Sequence, residues 1–79
     1  MKFFQTSIFS EYLANLLKFS LKIDAGIYFV DDFVKLQRSE ARVINARNDG
    51  YINYTEYKAL YSIASELHKQ YRIVLKLDR

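Results

Sequence analysis

Seventy-nine residues carry a formal charge of +3, with 51% hydrophobic and 16% aromatic residues and neither cysteine nor proline. A chain this short has room for one core, so residues 1–79 are expected to form a single domain that hides only about 60% of the surface its unfolded form exposes. The lack of cysteine rules out a disulfide framework, a thiolate nucleophile and a cysteine metal site, and points to a reducing, cytoplasmic setting.

The chain opens Met1-Lys2-Phe3-Phe4, a beginning like that of a signal peptide, until Gln5, Thr6, Ser7, Ser10 and Glu11 break any apolar run. No stretch approaches the roughly 20 apolar residues of a membrane span, so no membrane partner is expected. The first helical pattern runs from about Ser7 to Ser20. Ile8, Phe9, Tyr12, Leu13, Leu16 and Leu17 fall on one side, while Glu11, Asn15 and Lys18 share the other. Thr6 or Ser7 is placed to cap its start.

Residues 21–29 change period. Leu21, Ile23, Ala25, Ile27 and Phe29 alternate with Lys22, Asp24, Gly26 and Tyr28, which reads as a short strand or an extended turn around Asp24-Ala25-Gly26. Helical spacing returns from Val30 to Ala46, with Val30, Phe33, Val34, Gln37, Ala41 and Ile44 on the expected inner face and Asn48-Asp49-Gly50 as the stop. A third helix is expected from about Thr55 to Gln70. Its inner face is Tyr57, Leu60, Tyr61, Ala64, Leu67, His68 and Tyr71, and Asn53 with Glu56 forms a capping box ahead of it, with Thr55 as the competing cap. Residues 71–77 alternate again and contain Ile73-Val74, which favours a strand paired with residues 21–24 or with Met1–Phe4. The expected fold class is therefore α+β, mostly helical: three helices with a minimal two- or three-stranded sheet. An all-α small bundle is the alternative.

Catalytic equipment is not legible. His68 is the sole histidine and lies on an apolar stripe, where a satisfied, partly buried imidazole is the ordinary outcome. Asp31 and Asp32 are neighbours, so on a helix they diverge by about 100° and suit the start of helix two, where negative charge complements the dipole. No enzyme activity and no cofactor are expected.

Residues 45–57 resemble an EF-hand calcium loop in the second half of the segment. With Asn45 as the first loop position, Gly50 takes the sharp turn and Glu56 the bidentate carboxylate position. The chain departs from that family where Asn45 replaces the leading Asp and Arg47 stands where an oxygen ligand is needed. Only Asp49 and Glu56 would bring charge to a metal, so the segment reads as a polar helix–turn–helix without a metal site.

Lys35, Arg38 and Arg42 recur at three- and four-residue spacing on helix two, opposite its expected apolar face, with Arg47 near the end of the same ridge. They are the candidate partner-binding residues, for an acidic protein surface or for phosphates, although Asp31 lies on the same side and dilutes their charge. The expected element order also suits a winged-helix DNA-binding domain, in which helix three would offer Lys58, Ser62, Ser65 and Lys69 outward. Glu66 on that face and the lack of a second strand for a wing count against it.

Thirteen Phe and Tyr rings exceed what so small an interior is expected to hold, and surplus rings mark contact surfaces. The functional expectation is a non-enzymatic regulatory or inhibitory protein, of the kind carried by phages or mobile elements, that binds another protein through exposed aromatics and the basic helix face. A nucleic-acid-binding transcription regulator of winged-helix-like type is the alternative, a degenerate EF-hand-like helix–loop–helix is the second alternative, and a homodimer would cover surplus rings.

Overall fold

The computed structural model describes the backbone of residues 3–77 and the side chains of residues 8–77. It is a bundle of three helices, α1 (Phe3–Ala25), α2 (Val30–Asn48) and α3 (Tyr54–Val74). No strand occurs among the described residues, which corrects the α+β expectation in favour of the all-helical alternative. Both segments read as strands are the last turns of helices: residues 21–25 complete α1 and residues 71–74 complete α3. The proposed partner at Met1–Phe4 is helical at Phe3 and Phe4, and Met1 and Lys2 lie outside the described residues.

The physical reason is backbone satisfaction. A strand over 71–77 needs a partner for its amides and carbonyls, whereas an already nucleated helix gains one internal hydrogen bond for each residue it adds. The helical stretches 21–25 and 71–74 contain no breaker, and α1 stops only where Gly26 follows Ala25. For the same reason Thr6 and Ser7 fall inside α1 rather than capping it.

All three helices stop in the same way. The N–H of Ile27 donates to the Lys22 carbonyl, that of Tyr51 to Ala46, and that of Leu77 to Arg72, at 2.9, 2.8 and 2.9 Å. The residue before each donor sits at positive φ: Gly26 at +75°, Gly50 at +85° and Lys76 at +56°. These are Schellman endings, which satisfy carbonyls left over at a helix C-terminus. The expected box at the start of α3 forms, with the Glu56 N–H donating to Asn53 Oδ1 at 2.8 Å and the Asn53 N–H to Glu56 Oε1 at 2.9 Å. Thr55 is left in the first turn of the helix.

The core comprises Leu16 and Phe19 from α1, Leu36, Val43 and Ala46 from α2, and Leu60, Ala64, Leu67 and Tyr71 from α3, with Ile52 plugging the α2–α3 turn. The inner face of α3 largely matches expectation, although Tyr61 is exposed. On α1, Leu16 is buried as expected while Leu17 is exposed. On α2 the expected face points the wrong way. Val30, Val34 and Ile44 are exposed, Phe33 is half-buried, and the buried row is Asp32, Leu36, Val43 and Ala46. This helix has an apolar row on each side. The inner one opens with an aspartate, which hides it from a hydrophobicity pattern.

Candidate functional site

Turning α2 about its axis changes what its basic residues do. Lys35, Arg38 and Arg42 do not lie opposite the core. They flank it on the side facing α1, where they meet Asn15, Lys18 and Lys22 across a groove of about 380 Å³ floored by Phe19. Ser39 and Asp32 complete the lining. Both walls repeat with helical spacing, Asn15-Lys18-Lys22 on one and Lys35-Arg38/Ser39-Arg42 on the other, so each residue sits about one turn above the last. The groove lies along the thinnest of the three helix interfaces, because α3 packs more extensively on α1 and on α2 than they do on each other.

Asp32 anchors one end. Its Oδ2 accepts the Phe29 N–H at 2.9 Å, and its Oδ1 accepts from Lys22 Nζ at 2.8 Å. The carboxylate is 3% exposed and the lysine 39%. A phenyl ring cannot return the bond, so α2 begins with half a capping box supplied by its third residue. Burial pushes the Asp32 carboxyl up. The Lys22 hydrogen bond, the Phe29 N–H and the charges of Lys22 and Lys35 outweigh burial, leaving the carboxyl below its ordinary 3.8. Asp32 is ionised at neutral pH and consumes the charge of Lys22. Among the described residues, Lys18, Lys35, Arg38 and Arg42 form no salt bridge. Four cations are thus gathered in one groove without an acidic side chain bridged to them.

Arg47 does not belong to this set. It lies on the opposite edge of α2, beside α3, with its guanidinium 5.3 Å from the ring centre of Tyr54 and 5.2 Å from that of Tyr57. Those rings continue into Tyr61 as a ladder, with centroid spacings of 6.4 and 5.6 Å. Lys58 Nζ reaches the Tyr54 ring at 5.6 Å. Lys58, Ser62 and Lys69 are exposed and Ser65 is half-buried, all on the outer side of α3 together with exposed Glu66. No hairpin follows α3 up to Leu77, so the element order of a winged helix is absent from the described residues.

The EF-hand-like segment spans the α2–α3 turn. The Glu56 carboxylate that would ligate a metal instead accepts the Asn53 N–H. No group of three His, Asp or Glu side chains converges among the described residues. Asp49 caps the end of α2 through its backbone. His68 is half-buried against α2, with its ring edge-on to Phe33 at 5.3 Å and Nε2 2.9 Å from Glu40 Oε1. That contact is a hydrogen bond only when Nε2 carries a proton.

The sequence singles out Lys35, Arg38 and Arg42 as a set, but not Asn15, Lys18 and Lys22, which face them across the groove. Lys22 falls in the segment that reads as a short strand or an extended turn, which hides its helical spacing from Asn15 and Lys18. Extending the helical period by five residues aligns all three. No helix among the described residues is long and apolar enough to cross a membrane. Comparison with protein-family models, curated proteins and solved structures finds no match.

Proposed function

We propose that this chain is a non-catalytic regulatory protein that docks an acidic segment of a partner protein in the groove between α1 and α2. The observation that carries this reading is the gathering of Lys18, Lys35, Arg38 and Arg42 around one cavity, with no acid bridged to them among the described residues. Bringing like charges together destabilises a free protein, and an anionic ligand reverses that cost. Phe19 and the aliphatic stems of the lysines and arginines provide an apolar floor, where a charge pair is stronger than in open water.

The shape favours a polypeptide over duplex DNA. Readers of the duplex insert a convex helix or ribbon into a major groove about 12 Å wide, whereas these cations line a concavity. Arginine is also suited to carboxylates, which its planar fork can bind through two parallel hydrogen bonds.

The test is a titration of the chain with a labelled hexaglutamate peptide and, separately, with duplex DNA, at about 50 and 200 mM salt. The peptide is expected to bind at the lower salt and weaken at the higher. Lys35→Glu with Arg38→Glu and Arg42→Glu is expected to abolish binding, while Lys58→Glu with Lys69→Glu leaves it intact. Preferential duplex binding that disappears with the Lys58 and Lys69 changes would replace this reading with the nucleic-acid one.

A further inference from the structure

Resting on the acidic-segment reading, we infer that the groove recognises a phosphorylated side chain within that segment. The inference comes from the mismatch between the groove's charge and its length. Asn15 to Lys22 and Lys35 to Arg42 each advance seven residues along a helix, which at 1.5 Å per residue is about 10 Å. An extended peptide covers that distance in about three residues, and alternate side chains point to opposite sides. At most two side chains of a bound strand therefore enter the groove.

Two carboxylates deliver two negative charges to Lys18, Lys35, Arg38 and Arg42, leaving half of the positive charge unmatched. Lys22 does not alter that balance, since Asp32 already holds it at 2.8 Å. A phosphomonoester carries about −1.5 to −2 charges at neutral pH and presents three strong acceptor oxygens from a single side chain. One phosphate beside one carboxylate delivers about −2.5 to −3, matching more of the four cations than two carboxylates do. The neutral lining suits the same group. Asn15 and Ser39 are half-buried in opposite walls and offer amide and hydroxyl donors among the cations. A ligand with three acceptor oxygens uses such donors more fully than a lone carboxylate does. The partner is thus bound weakly in its unmodified form and tightly once phosphorylated, so the groove acts as the reader of a modification.

The experiment measures anisotropy of three labelled pentapeptides against the intact chain, each with glutamates flanking a central phosphoserine, glutamate or serine. The phosphoserine peptide is expected to bind about tenfold tighter than the glutamate peptide near pH 7.5. That advantage should shrink near pH 5.5, because the second phosphate proton returns with a pKa of about 6. The glutamate peptide, measured at both pH values, corrects for any change in the protein. Arg38→Gln with Arg42→Gln should erase the advantage, and Lys58→Gln with Lys69→Gln should not. Circular dichroism of each variant verifies folding. Equal affinity for the phosphoserine and glutamate peptides overturns this inference while the acidic-segment reading stands. An advantage that survives the Arg38 and Arg42 changes also overturns it, because the phosphate is then bound elsewhere. Failure of every peptide to bind at low salt removes both readings.

Discussion

Lys76 occupies the left-handed region at φ +56° where the other two helices place Gly26 and Gly50. A side chain in that conformation costs about 1 kcal/mol, which glycine avoids. Lys76→Gly is expected to raise the melting temperature by about 4 °C, the equivalent of roughly 0.5–1 kcal/mol in a domain of this size. A thermal melt that is unchanged or lowered would contradict the Schellman ending of α3. The same residue explains a misreading: glycine marks the stops of α1 and α2 in the sequence, and a lysine marks nothing. Asp32 makes a prediction in pH. Its folded pKa lies below the unfolded one, so its contribution is full above about pH 4 and drains away as pH falls through the folded value. Asp32→Asn should cost about 1–2 kcal/mol at neutral pH and flatten the acid limb of the stability curve, as melts from about pH 2 to pH 7 would reveal. Tyr71 has the opposite sign. Burial first, and then the Asp32 charge, push its phenol up to about 12, and its hydroxyl donates to the Phe19 carbonyl at 3.3 Å. Its contribution is whole below about pH 10 and is lost as pH rises through the folded value. Tyr71→Phe should cost about 1 kcal/mol at neutral pH and reduce alkaline sensitivity, measured by denaturation at pH 7 and near pH 11.

Helix limits and helix faces were legible to different degrees. The period of α3 and its capping box were plain because Leu60, Ala64, Leu67 and Tyr71 form one apolar row introduced by Asn53 and Glu56. The face of α2 was not, because Val30, Val34, Ala41 and Ile44 make an outer row as regular as the buried one. Pattern alone cannot say which row meets the core when a buried aspartate interrupts the true one. Tertiary contacts decide it, with Asp32 held by Lys22 and Phe29 and the Phe33 ring packed on His68. The basic residues of α2 were therefore recognised as a set, while their position in a groove became visible only when α1 stood opposite. Cations on both walls imply electrostatic tension between α1 and α2. Arg42→Gln is expected to stabilise the unliganded chain by about 0.5 kcal/mol at low ionic strength, with the gain vanishing at high salt. Melts of both forms at about 20 mM and 500 mM salt test this. Destabilisation at low salt would mean that the groove carries no such tension.

The described residues span 44 × 23 × 17 Å with a radius of gyration of 13.2 Å. A compact domain of the same length has a radius near 12 Å, so this bundle is drawn out and its core is a thin column. That shape explains the fate of the rings. Phe19 and Tyr71 are buried, whereas Phe29, Tyr51, Tyr54 and Tyr61 are exposed. An excess of aromatic area over interior was thus correctly inferred from composition. With so slender a core, Leu60→Ala should cost about 2–5 kcal/mol, a large share of the total stability of a small domain, and should show as near-complete loss of cooperative unfolding. The tyrosine ladder at the α2–α3 end has a practical corollary. The chain contains no tryptophan, so its near-ultraviolet optical activity and intrinsic emission come mainly from phenol groups. Three of these are coupled at 5.6 and 6.4 Å beneath a guanidinium. Fraying of that end should therefore register as loss of a tyrosine circular-dichroism band before the far-ultraviolet helix signal falls, giving an unlabelled optical gauge of local opening.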